Sequence, residues 1–115
     1  MNEKPIDLAV YSKLKASTGP EFVGELVDTF LEEAPGMLAE LRSARADGNA
    51  ERFRRAAHSL KSNANTFGAT SLAARARELE LKGLDAEPAR DQAVLVALEA
   101  EHARAADALK ALRNG

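Results

Sequence analysis

The spacing of the apolar residues constrains the fold of this chain more than any other feature of its sequence. Between residues 53 and 67 they recur at steps of four, three, four and three, at Phe53, Ala57, Leu60, Ala64 and Phe67. Such steps place the side chains in one stripe along an α-helix, which has about 3.6 residues per turn. No segment shows the strict alternation of a half-buried strand. The sequence therefore predicts an all-α fold.

Glycine, proline and capping residues divide the chain into five predicted helices. The first is short and covers residues 6–16. The second starts near Pro20. Thr18 or Gly19 can cap it, and Glu21 would complete a capping box with Thr18. A proline followed by a glycine at positions 35–36 is expected to bend or break this second helix.

Three further helices follow, separated by short connections. The turn at residues 47–49 ends the second helix, Gly68 caps the third, the fourth ends near Gly83 and the last begins around Pro88. Short connections make consecutive helices antiparallel. We therefore predict one domain over residues 1–115, an antiparallel up-and-down four-helix bundle with a short additional N-terminal helix packed across one end.

The composition argues against several classes of protein. The chain has no cysteine, so it can hold neither a disulfide nor a thiolate site. A net charge of -2 argues against a nucleic-acid binder. The chain also lacks a signal-peptide pattern and any apolar run near the roughly 18 residues of a membrane span. We expect a cytoplasmic monomer that binds neither nucleic acid nor membrane, and the initiating Met favours a free-standing protein.

The charge is unevenly distributed along the chain. Residues 51–82 contain seven Lys or Arg and three Asp or Glu residues, a net charge of +4, whereas the segments on either side are acidic. This basic segment is explained either by contact with an acidic protein surface or phosphoryl group, or by an ordinary solvated face. Under the first interpretation, Arg54, Arg55 and Asn65 are the predicted contacts with a partner.

The third helix carries a polar face beside its apolar stripe. At about 100° per residue, His58, Lys61, Ser62 and Asn65 share a face roughly 115° from the stripe, so His58 should point out of the core. A neutral imidazole offers a nitrogen lone pair that can attack phosphorus. Lys61 can reach phosphoryl oxygens on His58, and the small Ser62 leaves room for an in-line approach. Each of these residues alone is ordinary on a protein surface. Only their combination predicts a reactive histidine at position 58.

Residues 58–62 read His-Ser-Leu-Lys-Ser, and Gly68 follows His58 by ten residues. This pattern resembles the signature of histidine-containing phosphotransfer (HPt) domains, His-x-Leu-Lys-Gly with a further glycine ten residues after the histidine. Ser62 replaces the first glycine but keeps a small side chain. The resemblance covers most of the chain and implies a phosphorelay intermediate: His58 accepts phosphate from a receiver-domain aspartate and returns it to another, with Lys61 and Ser62 assisting.

The resemblance implies response-regulator receiver domains as partners, and a hybrid sensor histidine kinase as a further one. No phosphate loop or nucleotide fingerprint occurs in the sequence, so we expect a phosphocarrier that is not an enzyme and has no cofactor, with Mg²⁺ on the receiver. The main alternative is a binding-only helical adaptor. A metal site at His58 is a weaker alternative, because His102 is on another helix and is expected at the surface.

Overall fold

The computed structural model describes residues 5–114, whose regular structure is entirely helical. The helices are Leu8–Thr18 (α1), Pro20–Ala46 (α2), Ala50–Thr66 (α3), Thr70–Lys82 (α4) and Pro88–Asn114 (α5). Helices α2 to α5 form the antiparallel bundle, and α1 packs against α2 and α3. The predicted bundle with its additional N-terminal helix is confirmed, although α1 begins and ends two residues later than expected.

The apolar stripe of α3 faces the centre of the bundle. Phe53 and Leu60 are fully buried there, together with leucines from the other three bundle helices, Leu41, Leu72 and Leu98. The alanines of the stripe are also buried, and their small side chains allow neighbouring helices to approach closely. Because the stripe fixes the rotation of α3, it also fixes which residues of this helix face outward.

The junction between α1 and α2 differs from the predicted capping box. Thr18 is still part of α1, and its hydroxyl donates a hydrogen bond to the carbonyl oxygen of Leu14 at 2.9 Å. Gly19, the other predicted cap, is the N-cap of α2, and no side chain caps this helix. The expected break at Pro35 is also absent, since α2 continues through this exposed proline as one helix.

The turn between α3 and α4 also holds the start of α1. Gly68 has a φ of 80°, which suits its predicted role at the end of α3. Its carbonyl oxygen accepts a hydrogen bond from the Asp7 amide at 2.7 Å. A Cβ added to Gly68 would lie 2.7 Å from the Asp7 carbonyl oxygen and 2.9 Å from Val10 Cβ. Gly68 therefore permits the turn and leaves room for the segment that leads into α1.

The expectation that His102 is a surface residue holds only in part, because the residue is half-buried. Its ring packs beside Phe30 with the ring centroids 6.1 Å apart, and its Nε2 is buried without a hydrogen-bond partner among residues 5–114. Burial lowers the pKa of His102, and the nearby Lys110 adds to this effect. Since His102 lies one turn from the buried Leu98 and Ala105, it sits at the edge of the apolar face of α5.

Replacing Gly68 by Ala should destabilise the protein more than replacing Gly48 by Ala. Both glycines have positive φ, which costs an alanine about 1–2 kcal/mol, but a Cβ at Gly48 meets no atom within 4 Å. At Gly68 the close contact with Asp7 and Val10 adds about 1–3 kcal/mol. Urea denaturation measures the free energy of unfolding of both variants. Equal losses of this free energy would show that the segment leading into α1 moves away from the added Cβ without an energetic penalty.

Candidate functional site

The polar face of α3 lies on the outside of the bundle, with α2 on one side and α4 on the other. The side chain of His58 is 54% exposed, and Ser62 and Asn65 are exposed on the same face. Lys61 lies among them, with 23% of its side chain exposed. The structure thus brings these four residues together and leaves the imidazole accessible, whereas a buried His58 would have favoured the binding-only adaptor.

Glu80 of α4 contacts both His58 and Lys61. Its Oε2 lies 2.6 Å from His58 Nδ1, and its Oε1 accepts a hydrogen bond from Lys61 Nζ at 2.7 Å. The bond from Lys61 holds the pKa of Glu80 below the usual glutamate range; desolvation opposes this shift, and His58 contributes further to it. The Glu80 carboxylate is therefore ionised at neutral pH and can only accept hydrogen bonds.

The ionised Glu80 determines where a neutral His58 ring carries its hydrogen. Since the carboxylate only accepts, Nδ1 must donate and therefore bears the hydrogen. Nε2 then keeps the lone pair, and no group among residues 5–114 is hydrogen-bonded to it. The site thus offers one nucleophilic nitrogen on a ring whose orientation is set by its contact with α4.

Glu80 is the site residue that sequence reasoning missed. It lies 22 residues after His58, and no local motif connects the two. Antiparallel helices, however, bring together residues at similar distances from the turn between them. His58 precedes Gly68 by ten residues and Glu80 follows it by twelve, so counting outward from Gly68 would have indicated this part of α4. Glu80 faces α3 because it lies one turn after the buried Ala76.

The residues predicted to contact a partner flank His58. Arg54 and Arg55 precede it on α3, and their guanidinium nitrogens lie 2.6 and 3.6 Å from the Glu51 carboxylate. Asn65 follows about two turns later and is exposed near the end of the helix. All three side chains are accessible from the side on which His58 is exposed, and their contact with a partner stays a prediction.

Comparison with known families identifies this arrangement of helices and site. The family model of the Hpt domain matches residues 25–115, well over half of the chain. The chain belongs to the Hpt domain family. A search of curated protein sequences found no match. As a member of this family, the chain is a histidine phosphotransfer domain of phosphorelays.

A solved structure shares the fold of this Hpt domain over nearly its whole length. It is the crystal structure of histidine-containing phosphotransfer protein B (HptB) from Pseudomonas aeruginosa PAO1. The two chains are 27% identical, with a TM-score of 0.83, and the match covers 98% of this chain and 97% of that one. The similarity includes α1 as well as the four-helix bundle.

The described part of this Hpt domain lacks two kinds of feature. No helix within residues 5–114 is both long and apolar enough to span a membrane. The same residues contain no group of three or more His, Asp or Glu side chains placed to hold a metal ion. The metal-site alternative at His58 therefore has no ligand cluster in the described part of the chain to support it.

Replacing Glu80 by Ala should change the hydrogen position on His58. In the wild type we expect the neutral ring to carry its hydrogen on Nδ1, because the Glu80 carboxylate accepts from this nitrogen. Without that acceptor the hydrogen should distribute between both ring nitrogens. The ¹⁵N chemical shifts of the ring measure the tautomer, with Glu78→Ala as the control at an exposed position of α4. An unchanged tautomer in Glu80→Ala would contradict the assigned role of Glu80.

Proposed function

We propose that His58 carries the phosphoryl group, which it accepts from an aspartyl phosphate on one receiver domain and passes to another. The observation that carries this proposal is the accessible Nε2 of a ring held at Nδ1 by Glu80. Phosphotransfer in this family requires a histidine, and the chain has only two. The other, His102, is half-buried with its Nε2 out of contact with solvent, so His58 is the more accessible acceptor.

The proposed transfer is an in-line displacement at phosphorus. The Nε2 lone pair of His58 attacks the phosphorus of the receiver's aspartyl phosphate. The N–P bond forms as the bond from phosphorus to the aspartate oxygen breaks, and the carboxylate leaves with the electron pair. The ring keeps its Nδ1 hydrogen and becomes positively charged, so the adjacent Glu80 carboxylate stabilises it. Transfer to a receiver reverses these steps without a change in proton number.

Lys61 and Ser62 are proposed to assist this step. Lys61 Nζ lies 2.7 Å from Glu80 Oε1 and one helical turn from His58, so its flexible ammonium can move to the phosphoryl oxygens. Positive charge there offsets the charge of the group being transferred. Ser62 is exposed and small, which leaves space beside the ring for the partner.

The remaining parts of the reaction are proposed to belong to the partners. Receiver domains would supply the aspartate, its acidic pocket and Mg²⁺, and a hybrid sensor histidine kinase would supply the first phosphoryl group. The chain itself would act as a monomeric carrier without a kinase or nucleotide site. Arg54, Arg55 and Asn65 would contact the receiver, and the cytoplasmic location expected from the sequence stays a prediction.

The acceptor role of His58 is tested by incubating the protein with a phosphorylated receiver domain. We expect acid-labile label to appear on the wild type and none to appear on His58→Gln, because glutamine cannot take its place as the nucleophile. His102→Gln is the matched control and should still accept label. A folded His58→Gln variant that accepted label would refute the proposal, and receiver binding without any transfer in the wild type would favour the adaptor alternative.

Replacing Lys61 by Ala should slow transfer by roughly tenfold without unfolding the protein. The expected size follows from the loss of one charge-assisted hydrogen bond to the phosphoryl group, worth about 1.5 kcal/mol. Rapid-quench kinetics with a phosphorylated receiver measures the rate, and Lys13→Ala on α1 is the exposed-lysine control. Lys61→Arg should keep most of the rate because it keeps the charge. Wild-type rates in Lys61→Ala would remove Lys61 from the mechanism.

A further inference from the structure

A small pocket of about 180 Å³ lies between α3 and α4, beside the contact of Lys61 with Glu80. Lys61 and Asn65 line it from α3, and Arg77 lines it from α4. The other described residues of the lining are small and none is acidic: Thr70, Ala73 and Ala74. Two positive side chains and an amide therefore border a space that an anion could enter.

Arg77 differs from most arginines of this chain because no carboxylate pairs with it. Eight of the ten arginines form an ion pair within residues 5–114, and only Arg77 and Arg90 do not. Glu80 lies one turn from Arg77 on the same helix, but α3 already engages both oxygens of this carboxylate. The exposed guanidinium of Arg77 is therefore available to an anion from outside the resting bundle.

The register of α3 against α4 places Arg77 next to the reactive face. His58 lies opposite Glu80. Three residues nearer the turn on each of these antiparallel helices, Lys61 lies opposite Arg77. At about 100° per residue, Arg77 projects about 60° from Glu80. Since the Glu80 side chain is 15% exposed and Arg77 is more exposed, this rotation is toward solvent, where the His58 ring is accessible.

The charge balance of the site changes when His58 carries a phosphoryl group. Before transfer, with a neutral ring, the Glu80 carboxylate and the Lys61 ammonium cancel. Phosphorylation adds about two negative charges, and the ring gains one positive charge, so these groups together reach a net charge of about -1. Arg77 can supply the missing positive charge, because its planar fork can donate two parallel hydrogen bonds to phosphoryl oxygens.

We infer that Arg77 is a second phosphoryl-binding cation, which moves onto the phosphoryl group once His58 is phosphorylated. The inference rests on the proposed function, because it concerns the phosphorylated state of the same histidine. Arg54 and Arg55 are less available for this role, since they share the Glu51 carboxylate. A group that binds only the phosphorylated form favours the loaded carrier over the empty one, so Arg77 sets how phosphate divides between the carrier and its receivers.

Competition for phosphate at equilibrium tests this role with the variant Arg77→Ala. Phosphorylated, ¹⁵N-labelled wild type is mixed with an equal amount of unphosphorylated variant, and a catalytic amount of a receiver domain from the source organism shuttles the phosphoryl group. Intact-mass spectrometry measures the phosphorylated fraction of each chain. We expect the wild type to keep about ten times more phosphate than the variant, because only the wild type has the charge-assisted bidentate contact.

Two further variants control the competition. Arg90→Ala removes the other unpaired arginine, on α5, and should share phosphate equally with the wild type. Arg77→Lys keeps the charge without the planar fork and should give an intermediate ratio. Both positions are exposed within helices, where alanine and lysine are good helix formers, so all three variants should fold. Because the ratio is taken at equilibrium, a change in receiver docking alters the time needed but not the ratio.

A second measurement needs no receiver domain. His58 is phosphorylated with the small donor phosphoramidate, and the ³¹P chemical shift is followed as a function of pH. A guanidinium beside the phosphoryl oxygens favours their ionised form, so the pKa of the phosphoryl group should be lower in the wild type than in Arg77→Ala. Arg90→Ala should match the wild type. The side chains of Lys61 and Glu80 are present in all of these proteins, so their effect on this pKa is common to them.

The outcomes separate this inference from the proposed function. A wild type that exchanges phosphate with no receiver of its organism refutes the proposed function, and the ³¹P titration then decides on Arg77. An equal division of phosphate between the wild type and Arg77→Ala overturns the inference, as does an equal pKa of their phosphoryl groups. An equal deficit in Arg90→Ala also overturns it, because the effect would then reflect the net charge of the protein instead of a contact at the site.

Discussion

The Glu80 carboxylate joins the reactive face of α3 to the neighbouring helix, and the properties of the site depend on this contact. One oxygen holds His58 and the other holds Lys61, so ring orientation, hydrogen position and the place of the lysine charge all follow from how α3 packs on α4. That packing is directed by the tight turn at Gly68 and by the buried face that begins at Phe53. An ordinary helical bundle would thus prepare the proposed nucleophile without a separate active-site loop.

Helix α3 meets two requirements on different sides: one side is buried in the core and the other is open to solvent. The side with Phe53 and Leu60 is buried and fixes the rotation of the helix. The other side leaves His58 in contact with solvent, where a partner can reach Nε2. A carrier needs this openness because the phosphoryl group must pass between His58 and another protein in each proposed transfer. Positioning comes from the bundle, and most of the charge neutralisation must come from the partner.

Local patterns in the sequence predicted the helices, the bundle and the outward direction of His58, because each of these depends on spacing within one helix. Glu80 was missed because its role arises from the pairing of two helices. The partial burial of His102 was not predicted, because an imidazole at the edge of an apolar face can be partly covered by an aromatic neighbour, here Phe30. The capping box at Thr18 did not form because Thr18 is still the last residue of α1, so Gly19 is the N-cap of α2.

The shared contact of Lys61 also bears on reversibility. A carrier that bound its phosphoryl group too strongly would not release it, since only interactions that change along the reaction alter the balance between states. Lys61 is already paired with Glu80, so reaching a phosphoryl group means exchanging one negative partner for another. The net gain in interaction free energy is therefore smaller than the gain that an unpaired lysine would give. In the proposed mechanism, Glu80, released from Lys61, would face a ring that has become positive, so each charge would stay paired in both states.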